Sequence, residues 1–556
     1  MGQDFVILSL VPLLIGVCAA VACAIPGNFL VLRRQALIGD AISHVVLPGI
    51  VVAFLLTGTT SGGVMMLGAG AAALVAVGLI EAVRRLGRIE PGAAMGVIFT
   101  AMFAGGVLLL EQSDTSAVHL DVEHALYGSL ESLIWIDAEG WGSLLDPEAL
   151  RWLPVELPRM AGVLVVVVAM TWLFWRPLTL STFDEGFARA QGVPVVAVGL
   201  GLVIAAALAA VAAFDAVGAI IVIAMFICPP AAARLMTQTL GGQVMVSVVL
   251  AAVAAVIALP FWRERRRPAI GRAERTGQGA SYAKLSQGVT AYRWHGTVRG
   301  PVAVAIHGLT TPQIVWDGIA EGIAAFGYRT LSYDLYGRGL SDAPAGKQDE
   351  TFFLRQLDDL LAEQGLGDDL TLIGHSMGGA IATAWAAANP HRVRRVILLA
   401  PAGCGHAEGR FEALCRSVPG VGDWLFHTLA PRRAEEGIEA DRIAGRRHAE
   451  PARVDAVAGA QRAEFRRRGF LPAVLSSRRG MLAASQERAH RALATAEIPV
   501  VALWGGQDRV IPLAALGRLA QWNRSARQEV IADAGHALPV SHAQEAVRLL
   551  RDILRE

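Results

Sequence analysis

The first 262 residues of this chain contain no lysine, although arginine and acidic residues occur there. No G-x-x-x-x-G-K-[ST] sequence is found anywhere, which excludes ATP binding through a P-loop. The net charge of +1 does not bear on nucleic-acid binding, but no basic stripe is interleaved with aromatic residues, so a nucleic-acid partner is not predicted. These absences exclude a P-loop ATPase and give no indication of DNA or RNA binding.

Cysteine is scarce, with five residues in 556. None lies in a C-x-x-C pair or in another pattern typical of zinc ligands, and the five do not suggest a disulfide framework. We interpret them as small apolar side chains: Cys18, Cys23, Cys228, Cys404 and Cys415.

The N-terminus lacks the basic region that begins a signal peptide and carries Asp4 instead. Its first positive charges, Arg33 and Arg34, follow an apolar run. This arrangement predicts a membrane helix whose N-terminal end lies outside the cell.

The composition changes sharply along the chain. Mean hydropathy is +0.47, too high for an ordinary soluble protein of this length. Apolar residues dominate up to Trp262, and charged residues occur at normal density beyond it, with four arginines between Arg263 and Arg267. We predict a polytopic all-α membrane domain over 1–262, a basic junction and linker over 263–280, and a soluble domain over 281–556.

Apolar stretches of about 17–25 residues predict transmembrane helices. Arginines follow the first, third, fifth and seventh stretches of the first domain, which places its N-terminus outside. Eight stretches qualify: 5–25, 37–57, 63–83, 92–110, 161–176, 194–213, 216–236 and 243–261.

The basic junction conflicts with this helix count, because an eighth span would leave Arg263–Arg267 outside. Moving four positive charges across a membrane is disfavoured, whereas a count from hydropathy often errs by one. We therefore expect a multi-pass inner-membrane protein whose soluble domain lies in the cytoplasm.

One candidate metal site, Asp40 and His44, lies in the second apolar stretch. Residues four apart share a helix face, and ionisable side chains in a membrane helix usually face a partner or a cavity. Carboxylate and imidazole suit Zn²⁺, Mn²⁺ or Fe²⁺, and a second copy in a symmetric dimer would complete the ligand set. A buried Asp–His hydrogen bond that holds the helix explains the same spacing.

Three ordered motifs in the first domain resemble the membrane subunits of ABC-type zinc, manganese and iron uptake systems. They are Asp40–Gly49 with Arg33-Arg34 before it, Phe183–Pro194, and Val217–Arg234. The resemblance covers about residues 1–260. It implies that two permease subunits form the pathway and that Asp40 and His44 bind the transported ion. Where a further apolar segment normally follows in that family, Arg263 comes instead.

The same resemblance implies partners. Since the chain has no P-loop, a separate ABC ATPase subunit must bind the ATP, and the Phe183–Pro194 segment is expected near that contact. A periplasmic or extracellular metal-binding protein would deliver the ion, and membrane lipid surrounds the helices.

From Ser281 onward, short β-branched runs alternate with helix-like stretches, which predicts a mostly parallel sheet wrapped by helices. The strand Leu370–Ile373 leads into Gly374-His375-Ser376-Met377-Gly378 and an Ala-rich helix. This is the strand–turn–helix context of a nucleophile elbow, in which small residues flank a sharply turned serine.

Two later strands end in Gly505-Gly506-Gln507-Asp508 and in Ala534-Gly535-His536, so Ser376, Asp508 and His536 follow the chain order of a serine hydrolase. His536 would take the proton of Ser376, and Asp508 would hold the imidazole. The backbone N–H groups of Leu309 and Met377 would form the oxyanion hole. The hydrolase needs no cofactor for this chemistry.

These residues make the second domain resemble the serine esterase and lipase branch of the α/β-hydrolase superfamily over about 281–556. Residues 404–494 interrupt the strand alternation and are predicted to form a helical cap; their sixteen arginines could contact anionic lipid or simply be solvated. The remaining histidines lack a motif and are interpreted as surface or packing residues: His295, His391, His406, His427, His448, His490 and His542.

The whole sequence thus predicts a divalent-metal ABC permease subunit fused to a serine hydrolase that cleaves an ester-like bond. Three alternatives stay open. The permease half could be only an anchor for an esterase, the hydrolase half could be an inactive module on a transporter, or two neighbouring genes could have been joined by accident.

Overall fold

The computed structural model describes residues 6–35, 48–49, 51–58, 62–87, 89, 91–112, 130, 133–135, 137–276, 279–296, 298–405 and 407–555. It divides into two compact units, Met1–Leu259 and Pro260–Glu556.

The described part of the first unit is helical, as predicted. Four of its helices are long and apolar enough to cross a membrane: α1, α5, Val195–Phe214 within α8, and α10. Described helical residues fall in all eight predicted spans, although within 37–57 the structure describes only residues 48–49 and 51–57. The helices are α1 (Val11–Leu32), α2 (Gly62–Gly87), α3 (Pro91–Gln112), α4 (Pro147–Arg151), α5 (Glu156–Leu173), α6 (Trp175–Phe183), α7 (Glu185–Ala190), α8 (Val195–Val217), α9 (Ala219–Met236) and α10 (Leu240–Arg266).

Small residues and buried hydrogen bonds hold the first unit together. A Cβ on Gly27 of α1 would lie 2.3 Å from the carbonyl oxygen of Phe226, so α1 and α9 approach through bare backbone. The side-chain amide of Asn28 donates to Ser247 Oγ of α10 over 2.7 Å. In lipid, close backbone packing and interhelical hydrogen bonds hold helices together, because apolar side chains contact lipid tails as favourably as they contact another helix.

The second unit is built on an eight-stranded sheet with the order β1-β2-β4-β3-β5-β6-β7-β8. Strand β2 runs antiparallel to both neighbours, and the other neighbouring pairs are parallel. This mixed sheet confirms the predicted α/β-hydrolase fold. The strands are β1 (Ser281–Lys284), β2 (Val289–Gly296), β3 (Val302–Ile306), β4 (Arg329–Tyr333), β5 (Leu370–His375), β6 (Val393–Leu399), β7 (Val500–Gly505) and β8 (Arg527–Ile531).

Helices cover both faces of this sheet, which explains why its central strands are almost continuously apolar. In β3, Val304 and Ile306 join the core on one face, and Ala303 and Ala305 join the core on the other. The helices are α11 (Arg272–Arg275), α12 (Asp317–Ala324), α13 (Glu350–Glu363), α14 (Met377–Ala388), α15 (Arg410–Ser417), α16 (Val421–Gly445), α17 (Pro451–Glu464), α18 (Phe470–Arg479), α19 (Glu487–Thr495), α20 (Ala514–Trp522), α21 (Leu538–Ser541) and α22 (Ala543–Arg555). Five of them, α15 to α19, lie between β6 and β7.

The turn from β5 into α14 depends on two glycines. A Cβ on Gly374 would lie 2.4 Å from the carbonyl oxygen of Gly378, and a Cβ on Gly378 would lie 2.0 Å from that of Ile306. Real Cβ atoms do not approach a backbone carbonyl this closely. Only glycine therefore lets α14 begin directly above the end of β3.

The end of α10 contributes to the second unit. Glu264 is buried, accepts a 2.7 Å hydrogen bond from the N–H of Gly469 at the start of α18, and pairs with Arg267 over 2.6 Å. The carbonyl of Pro268 accepts a hydrogen bond from the Arg468 N–H over 3.0 Å. The helix was predicted to end near residue 261, and the structure continues it to Arg266.

We expect Gly378→Ala to destabilise the second unit by about 3 kcal/mol or more, because the new methyl group overlaps a buried backbone carbonyl. The control is Gly367→Ala, where a Cβ meets nothing within 4 Å, and its effect should stay below about 1 kcal/mol. Urea unfolding of the detergent-solubilised chain, followed by tryptophan fluorescence, measures both. Equal midpoints for the two variants would contradict the steric explanation.

Glu264→Ala should lower the unfolding free energy of the same unit by about 1–3 kcal/mol, because it removes the buried carboxylate that accepts from the Gly469 N–H. Glu264→Gln keeps an acceptor oxygen and should cost less. The exposed pair of Glu487 with Arg491 provides the control Glu487→Ala, which should cost less than about 1 kcal/mol. If Glu264→Ala unfolds at the same urea concentration as that control, the junction does not stabilise the fold.

Candidate active site

Ser376 stands between β5 and α14 in a strained conformation. Its φ is 53° and its ψ is −119°, a region that non-glycine residues rarely adopt. The backbone N–H of Ser376 donates to the carbonyl of Leu399 over 3.1 Å, which ties the turn to the end of the neighbouring strand. The serine hydroxyl is thereby presented at the carboxyl edge of the sheet, as expected of a nucleophile elbow.

Ser376, His536 and Asp508 form a hydrogen-bonded row. His536 Nε2 lies 3.0 Å from Ser376 Oγ, and His536 Nδ1 lies 2.8 Å from Asp508 Oδ2. Asp508 follows β7 and His536 follows β8, so three parallel strand ends deliver the three side chains. With Nδ1 donating to the carboxylate, Nε2 is left free to accept the serine proton.

The carboxylate of Asp508 is held ionised although it is shielded from solvent. Burial opposes ionisation, but the hydrogen bonds from His536 and from the backbone N–H groups of Val510 and Ile511 outweigh it and lower the pKa of Asp508. Its side chain is 1% exposed. A fixed negative charge therefore stands behind the imidazole, where a positive charge would develop.

The two predicted oxyanion-hole residues, Met377 and Leu309, belong to segments that pass close to Ser376. Met377 is the first residue of α14, and the first four N–H groups of a helix have no acceptor within that helix. Leu309 lies in the loop that follows β3. A Cβ on the adjacent Gly308 would lie 3.3 Å from the Ser376 Cβ, so this loop passes close to the serine.

Arg338 holds the Leu309 loop in place, a role that the sequence did not reveal. Its guanidinium is buried and donates to the carbonyl of Leu309 over 3.1 Å, to that of Tyr336 over 2.8 Å, and to Ser477 Oγ of α18 over 2.8 Å. Burial lowers the pKa of Arg338 to about 9, and the nearby Glu464 opposes that shift. The available signal in the sequence was an arginine between two glycines in the loop that follows β4.

Two buried histidines beside the site are structural. His307 accepts the N–H of Leu335 over 2.9 Å, and burial lowers its pKa to about 3. His375 donates from Nε2 to the backbone carbonyl of His536 over 2.9 Å, and burial followed by repulsion from His536 lowers its pKa to about 3. Both rings stay neutral at physiological pH, so neither adds positive charge next to His536.

Asp441 of α16 is a second carboxylate near the row that the sequence analysis missed. Desolvation raises its pKa, the charge of His536 opposes that rise, and Asp508 adds to it. It could not be found from the sequence, because it lies on a helix between β6 and β7, far along the chain from the motifs of Ser376, Asp508 and His536.

The predicted metal ligands Asp40 and His44 lie outside the described residues. The neighbouring Arg33 is described: it donates to Ser181 Oγ over 2.7 Å and to Thr182 Oγ1 over 3.0 Å. These contacts connect the end of α1 to the end of α6, directly before the Phe183–Pro194 motif.

Comparison with known proteins identifies both halves. A profile of the ABC 3 transport family matches residues 8–137 and 149–261, and a profile described as serine aminopeptidase, S33, matches residues 299–540. The manganese transport system membrane protein MntD of Bacillus subtilis is 39% identical over 246 residues, which are 44% of this chain and 80% of that protein.

Two further similarities cover one half each. The zinc transport system membrane protein TroD of Treponema pallidum is 38% identical over 217 residues; these are 39% of this chain and 56% of TroD, so the chain spans about half of that relative. The enol-lactonase from Burkholderia xenovorans LB400 superposes with a TM-score of 0.40 at 22% identity, over 50% of this chain and 100% of the lactonase. Through its membrane half the chain belongs to the ABC 3 transport family, and the same polypeptide carries an α/β-hydrolase domain.

Proposed function

We propose that this chain is a divalent-metal ABC permease subunit that carries an active serine hydrolase. The observation that supports the hydrolase most directly is the row of Ser376, His536 and Asp508, with hydrogen-bond distances of 3.0 and 2.8 Å. Under this proposal the membrane domain spans 1–262, the junction 263–280 and the hydrolase 281–556, with a cap over about 404–494.

The reaction proceeds through an acyl-enzyme. Ser376 Oγ attacks the carbonyl carbon of the substrate while its proton moves to His536 Nε2. The carbonyl oxygen becomes an oxyanion that the N–H groups of Met377 and Leu309 stabilise. The bond to the leaving alcohol breaks as His536 returns the proton, and water then repeats the sequence to release the acid and restore Ser376.

An ester-like substrate is favoured over a phosphoryl one. Ser376, His536 and Asp508 suit acyl transfer, and they need neither a metal nor a bound coenzyme for it. Helices α15 to α19 would form the wall that holds the acyl or alcohol group. Because the matching family is described as serine aminopeptidase, aminoacyl amides are the alternative substrate class.

The transported ion is Mn²⁺ or Zn²⁺, with Fe²⁺ a third possibility on donor chemistry. Two relatives named for manganese and zinc transport support this proposal. Asp40 and His44 would bind the ion from the second apolar stretch, and a second permease subunit would complete the pathway.

ATP hydrolysis would come from a separate ABC ATPase, since this chain has no P-loop. An external metal-binding protein would supply the ion. The arginines of 263–267 favour a cytoplasmic hydrolase in a multi-pass inner-membrane protein.

We expect Ser376→Ala to lower the hydrolysis of p-nitrophenyl acetate by the full chain in detergent about 10⁵-fold, because no other group supplies the nucleophile. It should also abolish labelling by a fluorophosphonate. The exposed Ser485 gives the control Ser485→Ala, which should keep wild-type activity. If Ser376→Ala still hydrolyses the ester, Ser376 is not the nucleophile. If the wild-type protein cleaves aminoacyl p-nitroanilides but no esters, the substrate is an aminoacyl amide and not an ester.

Asp40→Ala and His44→Ala should each reduce Mn²⁺ or Zn²⁺ uptake at least about 10-fold, because each removes a proposed ligand. Uptake is measured in cells that also contain the ATPase and the binding protein of the system. Ser376→Ala is the matched control, with hydrolysis lost and uptake retained. Uptake that is absent from the wild type, together with intact esterase activity, would favour the membrane-anchored esterase instead.

A further inference from the structure

Three side chains of the hydrolase unit other than Ser376, His536 and Asp508 lie close together, and the two histidines among them were predicted to be surface or packing residues. His448 follows the end of α16, Asp533 lies in the loop after β8, and His542 lies between α21 and α22. One ring nitrogen from each histidine and one oxygen of Asp533 all lie within 4.8 Å of one another. The two imidazole rings face each other with centroids 4.5 Å apart and planes tilted by 31°.

Each histidine approaches a different oxygen of the Asp533 carboxylate, at a separation longer than that of a usual hydrogen bond. His448 Nδ1 lies 3.5 Å from Asp533 Oδ2, and His542 Nε2 lies 3.3 Å from Asp533 Oδ1. Nitrogen–oxygen hydrogen bonds are usually about 2.9–3.0 Å long. Zinc–ligand bonds of about 2.0–2.1 Å in a tetrahedron place neighbouring ligand atoms about 3.3–3.4 Å apart.

A second observation comes from His542 alone. Its side chain is 6% exposed, and its Nε2 atom, which is shielded from solvent, lies 3.3 Å from Asp533 Oδ1 without forming a well-aligned hydrogen bond within the described part of the chain. A buried polar atom without a hydrogen-bond partner is uncommon in a folded protein and calls for an explanation. An ion between Nε2 and the Asp533 carboxylate would supply the missing partner.

The other nitrogen of His542 is fixed as in many metal sites. Nδ1 lies 2.9 Å from Ser541 Oγ, and that hydroxyl donates to the carbonyl of Ala537 over 3.1 Å. A histidine that binds metal through one nitrogen usually makes a hydrogen bond with the other, which sets the ring orientation and the tautomer. Nε2 of His542 is therefore presented as the free lone pair.

We propose that His448, Asp533 and His542 bind a divalent cation of the zinc type. Two imidazoles and one carboxylate match Zn²⁺, with water as the fourth ligand. Nitrogen donors favour Zn²⁺ over Mn²⁺, which binds such sites more weakly. The ion connects the turn after α16 with the loop that carries His536, since Asp533 precedes His536 by three residues.

The test measures bound zinc in the full chain. The background variant Asp40→Ala/His44→Ala removes the other proposed metal ligands. EDTA first removes bound metal, and the protein is then dialysed to equilibrium against Zn²⁺. The background variant should bind about one zinc ion per chain. His448→Ala and Asp533→Asn change exposed side chains and should lose that ion, whereas the exposed control His391→Ala should keep it. Mn²⁺ at the same concentration should not displace the zinc.

Thermal unfolding provides a second measurement that does not depend on counting ions. Zn²⁺ should raise the unfolding midpoint of the background and of His391→Ala, and leave His448→Ala and Asp533→Asn unchanged, because only a ligand bound to the folded state stabilises it. Without zinc the four proteins should unfold at similar temperatures. Equal zinc content and equal zinc-induced shifts in all four variants would overturn the site, as would loss of zinc in His391→Ala.

Discussion

The hydrolase half depends on how closely the start of α14 approaches the end of β3. Gly374 and Gly378 leave no space for a Cβ, and Ser376 between them is held at a φ of 53°. That conformation is unfavourable by itself and persists only because the strands on both sides fix the backbone. The serine hydroxyl, the loop that carries His536 and the Leu309 loop can meet at one edge of the sheet only while this turn keeps its shape.

The local surroundings also set which ionisable groups near Ser376 carry a charge. Asp508 is kept ionised by donors from a side chain and from two backbone groups, whereas His307 and His375 are kept neutral by burial. Repulsion of a charged His536 by its neighbours is thereby avoided. The buried guanidinium of Arg338 contacts the Leu309 loop, and its donors are directed at carbonyl and hydroxyl oxygens.

Much of this architecture could be predicted from local sequence. Apolar run lengths indicated the helices, and strand-ending motifs indicated Ser376, Asp508 and His536, because parallel strands bring such ends to one edge. The structure places these three side chains in hydrogen-bond contact, while their catalytic role stays a proposal. The partners of Arg338 and the grouping of His448, Asp533 and His542 could not be predicted, since tertiary packing joins residues from separate segments and no periodicity records it.

Two hydrogen bonds, from the Gly469 N–H to Glu264 and from the Arg468 N–H to the carbonyl of Pro268, make the segment before Ser281 part of the hydrolase fold. Arg275 adds an ion pair with Asp342 over 2.5 Å. A peptide-bond cut between Thr276 and Gly279 would therefore leave residues 260–276 attached to the rest of the fold by noncovalent contacts. A recombinant hydrolase that begins at Ser281 would lack a segment of its own surface, so the natural starting point for an excised domain is Pro260, inside a helix.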